Sequence, residues 1–175
     1  AMYRGISFSP DGNYVMVTQI KKPFSYLVTY GRFPSQTDIY TKEGKLVTNI
    51  LDTPLIEELP KGFMSTRTGK RSFNWRSDKA ATLIYVEALD GGDPANVVDY
   101  RDEVFELEAP FNGEGKSLIK TINRFAGIDW GNTNLAIAYD RWWNTRNTKA
   151  YAFNPSNNDI EPKIINDRNY QDVYS

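Results

Sequence analysis

The sequence contains no cysteine and no histidine among its 175 residues. Without cysteine there can be no thiolate nucleophile, disulfide or iron–sulfur site, and without either residue there can be no Cys/His zinc site. A Ser-His-Asp triad cannot be assembled, because its general base is missing. We therefore predict no catalytic residue, no metal site and no cofactor for this chain.

Charge of one sign and long apolar runs are also lacking. The 21 basic and 22 acidic residues leave a net charge of -1, so neither nucleic acid nor an anionic membrane is an expected partner. No run of eighteen apolar residues exists, and the first residues lack the pattern of a signal peptide. The sequence does not determine the compartment; we carry an extracytoplasmic, periplasmic location as a working expectation.

Three stretches of the chain repeat one pattern, in which an aromatic residue precedes a polar turn and a β-rich run. They are Phe8–Val17, Trp75–Val86 and Trp130–Tyr139. Repetition of this kind is typical of propeller or solenoid arrays. Because one repeat unit cannot bury its apolar face alone, three units indicate part of a larger assembly.

Alternating apolar residues and Gly/Pro turns predict four strands in each repeat. The predicted fold is all-β, with antiparallel four-stranded blades forming about three blades of a truncated β-propeller. The units are predicted at residues 3–51, 70–123 and 125–165 of a single partial domain, 1–175. Residues 166–175 are predicted to approach a next blade. The two incomplete ends would expose apolar blade faces, so self-association is a further expectation.

Connections at one end of the predicted sheets are short, whereas those at the other end are long. The long ones are Lys21–Ser35, Asp52–Gly69, which includes a possible helical turn at Leu55–Leu59, and Leu89–Arg101. Long loops on a rigid scaffold often carry binding sites. They can equally pack onto a neighbouring domain, and the sequence leaves both possibilities open.

Arginine and tryptophan residues on or near these loops are candidates for contacts with substrate. The arginine guanidinium groups, with Lys70 beside them, could bind an acidic side chain of a substrate or its chain terminus through paired hydrogen bonds. The alternative is that these arginines are solvated or form contacts between blades. A tryptophan pair in a predicted loop over residues 141–147 is suited to peptide or sugar, or to packing between blades. The candidate substrate-binding residues are Arg32, Arg67, Arg71, Trp142 and Trp143.

Three other groups of residues superficially resemble functional motifs. Gly113–Ser117 looks like the end of a phosphate-binding loop, but it lacks the first glycine and precedes a predicted strand. Asp90 and Asp93 lack the spacing of a calcium loop and are predicted to form a polar turn. The last group, Asp102, Glu103, Glu106 and Glu108, has the residue type for acid–base pairing. Asp102, Glu106 and Glu108 share one face of the predicted strand, where we expect them to be solvated.

Specific stretches resemble a known family. Phe8–Val15 is similar to the strand-turn-strand signature of TolB-like propeller repeats. Four further stretches, in order, resemble the branch of the prolyl oligopeptidase family that includes glutamyl endopeptidases and putative aminopeptidases. They are Pro23–Tyr26, Gly31–Pro34, Arg71–Lys79 and Ala88–Asp93. The resemblance covers most of residues 5–140.

The resemblance implies a serine peptidase in which a propeller caps an α/β-hydrolase domain carrying the catalytic residues. This chain has no Gly-x-Ser-x-Gly nucleophile elbow, and no catalytic residue of the family maps onto it. It is thus expected to be a non-catalytic propeller fragment that gates or orients peptide substrates for the hydrolase domain of a parent chain. The alternatives are a stand-alone TolB-like protein-binding module and a carbohydrate-binding β-domain using Trp142 and Trp143.

Overall fold

The structure is a computed structural model that describes residues 2–172, so residues 1 and 173–175 of the predicted domain lie outside it. The described residues form twelve β-strands and one short 3-10 helix, Tyr30–Arg32. The strands are β1 Met2–Phe8, β2 Tyr14–Ile20, β3 Ser35–Thr41, β4 Leu46–Thr53, β5 Arg71–Trp75, β6 Thr82–Ala88, β7 Asp102–Glu108, β8 Lys116–Thr121, β9 Arg124–Asn132, β10 Leu135–Trp142, β11 Asn147–Phe153 and β12 Lys163–Asn169. No helix among the described residues is long and apolar enough to cross a membrane.

The strands form three antiparallel sheets of four strands each. The first sheet has the order β1-β2-β3-β4, the second β5-β6-β7-β8 and the third β12-β11-β10-β9. Each sheet is a meander, because strands adjacent in sequence are also adjacent in the sheet. The prediction of an all-β chain with three four-stranded antiparallel units is therefore confirmed.

Contacts divide the chain into two compact units. The first unit contains the residues up to Leu59 together with Asn74–Leu83 and Leu107–Gly115. The second contains Pro60–Phe73, Ile84–Glu106 and the residues from Lys116 onward.

The first unit is built around aromatic residues that face the first sheet. The indole N–H of Trp75 donates a hydrogen bond to Ser7 Oγ at 3.1 Å. The Phe111 ring lies edge-on to Trp75, at 5.7 Å between centroids, and to Tyr14, at 5.2 Å. The Asp11 N–H also donates to the Ala80 carbonyl at 3.1 Å. These contacts bury Trp75 almost completely.

The core of the second unit lies between its two sheets. Side chains from β6, β7 and β8 pack against side chains from β10 and β11, and all of them are almost fully buried. Aligned packing of two sheet faces in this way excludes water from apolar side chains of both sheets. The members are Ile84, Val86, Val104, Leu118, Ile119, Ala136, Ala138, Tyr151 and Phe153.

Several predicted boundaries are wrong in the last third of the chain and in one loop. Residues 55–59 have no helical turn. The predicted loop over residues 141–147 is a four-residue turn, 143–146, because β10 continues to Trp142 and β11 begins at Asn147. Residues 166–169, predicted as an approach to another blade, belong to β12, where Asn166 pairs with Ala150 and Asn169 with Asn147.

Candidate functional site

Buried charges in the second unit form a connected cluster of ion pairs. Asp102 forms ion pairs with Arg71 at 2.5 Å and with Arg124 at 3.1 Å. Asp90 forms ion pairs with Arg101 and with Arg124, each at 2.8 Å. Both carboxylates have no solvent-exposed surface, and Arg124 is almost as deeply buried. We call these five residues the arginine–aspartate network; its formal charge is one positive unit.

Strand direction explains why three members of the network meet. Arg71, Asp102 and Arg124 are the first residues of β5, β7 and β9. In an antiparallel meander, alternate strands run in the same direction, so β5 and β7 begin at the same end of the second sheet. The Phe125 N–H donates to Asp102 at 2.8 Å, so this carboxylate also fixes the start of β9.

The other two members connect the network to the long loops. Arg124 Nε donates to the Met64 carbonyl at 2.9 Å, and the Thr66 N–H donates to the Gly92 carbonyl at 3.0 Å. Asp90 accepts the Gly92 N–H at 2.9 Å within its own loop. The stretch 60–70 and the loop 89–101 are thereby held together and held to the sheet.

Glycine is required at position 92 for two reasons. Its φ of +77° lies in the left-handed region, which disfavours side chains with a Cβ. A Cβ there would also stand 2.0 Å from the Thr66 carbonyl oxygen. Gly91 has a similar φ of +68°, but a Cβ at that position would meet no atom within 4 Å.

The surroundings of Asp90 favour its ionised form. Burial on its own would raise the pKa of this carboxyl. The opposing effects are larger and hold the pKa of Asp90 below its usual value. They are the hydrogen bonds from Arg124 and Arg101, the positive charge of Arg124 and the hydrogen bond from the Gly92 N–H. Asp90 is thus a permanent anion at neutral pH rather than a proton donor.

The structure places the three predicted arginines differently. Arg71 belongs to the network, with 13% of its side chain exposed and no hydrogen-bond partner for its buried Nε. Arg67 donates to the carbonyls of Thr68 and Lys70, within its own loop. Arg32 ends the 3-10 helix of the first unit, where it is half-buried.

The two predicted tryptophans do not form a common platform. Trp142 is buried in β10, and the Arg101 guanidinium lies 3.8 Å from the centre of its ring, so the prediction that it stands in a loop is wrong. Trp143 is partly exposed in the turn, with the Phe63 ring at 5.0 Å and the Arg146 guanidinium at 3.9 Å. The network therefore includes Arg71 and contacts Trp142, while Arg67 and Trp143 lie on surrounding loops and turns.

Sequence reasoning misjudged the carboxylates. Asp102 and Glu106 share one side of β7 and are both buried, so the expectation that they are solvated is wrong for these two. Glu108, the last residue of β7, is exposed as expected. Asp90 is likewise a buried ion-pair partner and more than a polar turn residue. Arg101 and Arg124 were not among the candidates, although one precedes a strand and the other begins one. Lys116 begins a strand, as predicted for the residues after the glycine-rich turn.

Two curated plant proteins are similar to the whole chain. A protein named probable glutamyl endopeptidase, chloroplastic, from Oryza sativa subsp. japonica, is 41% identical over 177 residues. A protein of the same name from Arabidopsis thaliana is 38% identical over 177 residues. The chain spans 19% and 18% of their lengths, respectively, and no family model matches it.

Proposed function

We propose that this chain is a non-catalytic β-propeller portion of a serine peptidase related to prolyl oligopeptidases, of the glutamyl endopeptidase or aminopeptidase type. The observation that carries the proposal is the similarity along the full chain to two proteins named as glutamyl endopeptidases, of which it spans less than a fifth. Most of such a protein lies outside this region, which leaves room for an α/β-hydrolase domain that supplies the catalytic residues.

The three meanders support the interpretation of the sheets as TolB-like propeller blades, over about 3–51, 70–123 and 125–165. The aromatic residue of each sequence repeat stands in the first strand of its sheet. Phe8 and Trp75 end β1 and β5, and Trp130 lies near the end of β9. Equivalent residues at equivalent places in successive sheets are expected of a repeat architecture.

The proposed role is to orient or gate peptide substrates for the hydrolase domain. Support comes from the arginine–aspartate network, which fixes two long loops on a rigid sheet, the usual arrangement for loops that bind. Arg67 and Trp143 remain proposed contacts with the peptide in the second unit, and Arg32 is proposed as a separate contact in the first unit. Arg71 and Trp142 are proposed to act by holding the loops, because ion pairing and burial occupy them.

An apolar surface of the first sheet supports the proposal that the isolated chain self-associates. The Ser7 side chain faces Trp75, so its neighbours Ile6 and Phe8 point to the opposite face of the sheet. There they are 60% and 64% exposed, and Leu46 is also exposed. In the parent protein another part of the chain would cover this surface.

Peptide hydrolysis by the chain and by its full-length parent tests the proposal. The chain should not hydrolyse chromogenic glutamyl or alanyl substrates, whereas the parent should hydrolyse one of them and lose this activity with a serine-directed inhibitor. In the parent, Arg32→Ala should raise KM for peptides severalfold with little change in kcat. Activity of the isolated chain that survives repeated purification would contradict the proposal.

A stand-alone TolB-like protein-binding module is the second candidate, and one surface favours it. The loop between β2 and β3 exposes large apolar side chains, which commonly mark protein contacts. They are Phe24, Tyr26, Leu27 and Tyr30. A reading frame that ends close to Ser175 would favour this candidate over the peptidase fragment. The burial of Trp142 removes the tryptophan pair that a carbohydrate site would need.

A further inference from the structure

A groove of about 420 Å³ runs along β8, the outermost strand of the second sheet. Its volume falls in the range of roughly 300–1,000 Å³ that is typical of ligand-binding clefts. One wall is the edge of β8 and the residues after it, up to Ile122. The other wall is formed by Asn158, Glu161, Pro162 and Ile164. All of these residues belong to the second unit.

The backbone of β8 presents hydrogen-bonding groups to this groove. The Thr121 carbonyl accepts the Arg101 N–H at 2.9 Å, so it points towards β7. Successive residues of a strand direct their backbone groups to opposite sides, and the N–H and C=O of Lys120 therefore point into the groove. Ile122 lies two residues after Lys120 and has the same parity, and its N–H donates to the hydroxyl of Tyr151, which lines the groove, at 3.2 Å.

The opposite wall shows that the groove has the position of a missing strand. Tyr151 in β11 and Ile164 in β12 are directly paired and therefore lie on the same face of the third sheet. Tyr151 is buried in the core, whereas Ile164 is 42% exposed. The second sheet thus covers this face as far as β11 and ends before β12. One further strand beside β8, about 4.8 Å away, would cover Ile164.

We propose that β8 accepts an extended peptide segment from another molecule as a fifth strand of the second sheet. Its backbone bonds to the N–H and C=O of Lys120, and its apolar side chains contact Ile122, Pro162 and Ile164. Strand addition of this kind takes affinity from main-chain hydrogen bonds and specificity from alternate side chains. Because Lys120 and Glu161 place charges of both signs at the groove, the segment has apolar residues alternating with polar ones. The proposal does not depend on the proposed function.

Fluorescence anisotropy with a labelled hexapeptide, Val-Thr-Val-Thr-Val-Thr, tests the inference. The 175-residue chain should bind this probe saturably. A control peptide of the same sequence has alternate backbone amides N-methylated. It keeps its side chains but loses the hydrogen-bond donors of those amides, and it should bind at least tenfold more weakly. Absence of saturable binding at millimolar protein, or equal binding of the two peptides, would overturn the inference.

Variants of β8 provide a matched pair. Lys120→Pro removes an N–H that β7 does not use, so an edge strand should tolerate it, and it should weaken binding of the probe at least tenfold. Lys120→Ala keeps the N–H and should bind within twofold of the original chain. If Lys120→Pro unfolds the chain, the comparison of the two peptides decides. A dimer that Lys120→Pro abolishes and that the probe does not compete with would instead show that a second copy occupies the groove.

Discussion

Two adjacent glycines offer a controlled test of how the long loops are held. Gly91 and Gly92 have similar left-handed φ values, +68° and +77°, and the change to alanine is the same at both positions. Only at Gly92 does the added Cβ meet an obstacle, the Thr66 carbonyl oxygen at 2.0 Å. The obstacle is backbone, and the Thr66 N–H bonds to the Gly92 carbonyl, so relief requires the two loops to separate.

The structure sets the expected magnitudes. Gly91→Ala should cost about 1–2 kcal/mol, which is the penalty for a left-handed residue with a Cβ. Gly92→Ala carries the same penalty and, in addition, about 1–3 kcal/mol for overpacking. A difference of about 2 kcal/mol corresponds to a urea midpoint lower by about 1 M, because m is typically about 1–3 kcal/mol/M.

Urea unfolding of the two variants, followed by tryptophan fluorescence, measures this difference. Limited trypsin digestion gives a local readout, because the half-buried Arg67 lies in the stretch that would be displaced. Gly92→Ala should expose this site, while Gly91→Ala should leave it protected. If Gly92→Ala is no more destabilising than Gly91→Ala, the contact between the two loops does not contribute to stability in the way we argue.

Three further predictions concern other parts of the chain. Trp75→Ala should lower the free energy of unfolding by about 3–5 kcal/mol, because the ring is buried; a loss below 1 kcal/mol in urea unfolding would contradict this. Asp90 has a lowered folded-state pKa, so the stability that it contributes should be complete above its unfolded pKa of about 3.9 and disappear as pH falls through the folded value. Asp90→Asn should therefore flatten the acid limb of stability against pH, and an unchanged limb would refute that assignment. The double variant Ile6→Glu, Phe8→Glu should reduce self-association in sedimentation velocity, whereas Leu27→Glu, a control at a more exposed position, should not.

Strand positions were predictable where the sequence gives sharp boundaries. The sequence predicts strands over 71–75 and 82–88, delimited by Gly69 and by the polar turn between them, and β5 and β6 have these ranges. The sequence predicts a last strand over 160–165, whereas β12 spans Lys163–Asn169, because its second half, Asn-Asp-Arg-Asn, has low β-propensity. Pairing with β11 makes it a strand, and this partner is invisible in a local window.

The buried charges were less predictable, for a different reason. Asp90 and Arg124 are 34 positions apart, and their pairing depends on the ends of two sheets meeting. A local sequence does not distinguish a solvated aspartate from one that two guanidinium groups neutralise. One signal was available: an ionised residue begins each of β5, β7 and β9. Arg71 and Asp102 begin strands at the same end of the second sheet, and Arg124, which begins β9 of the third sheet, contacts Asp102.

The network also bears on whether the proposed propeller gates substrates or orients them. To move away from the sheet, the loop 89–101 would have to break the contact of Asp90 with Arg124, since Arg101 belongs to the same loop as Asp90. Leaving a buried charge without its partner typically costs about 3–5 kcal/mol. At that cost the open form is populated below about one molecule in a hundred, since each 1.4 kcal/mol is a factor of ten. A loop held this firmly is suited to present fixed contacts to a ligand. Within the proposed function, this favours the orienting role over the gating role.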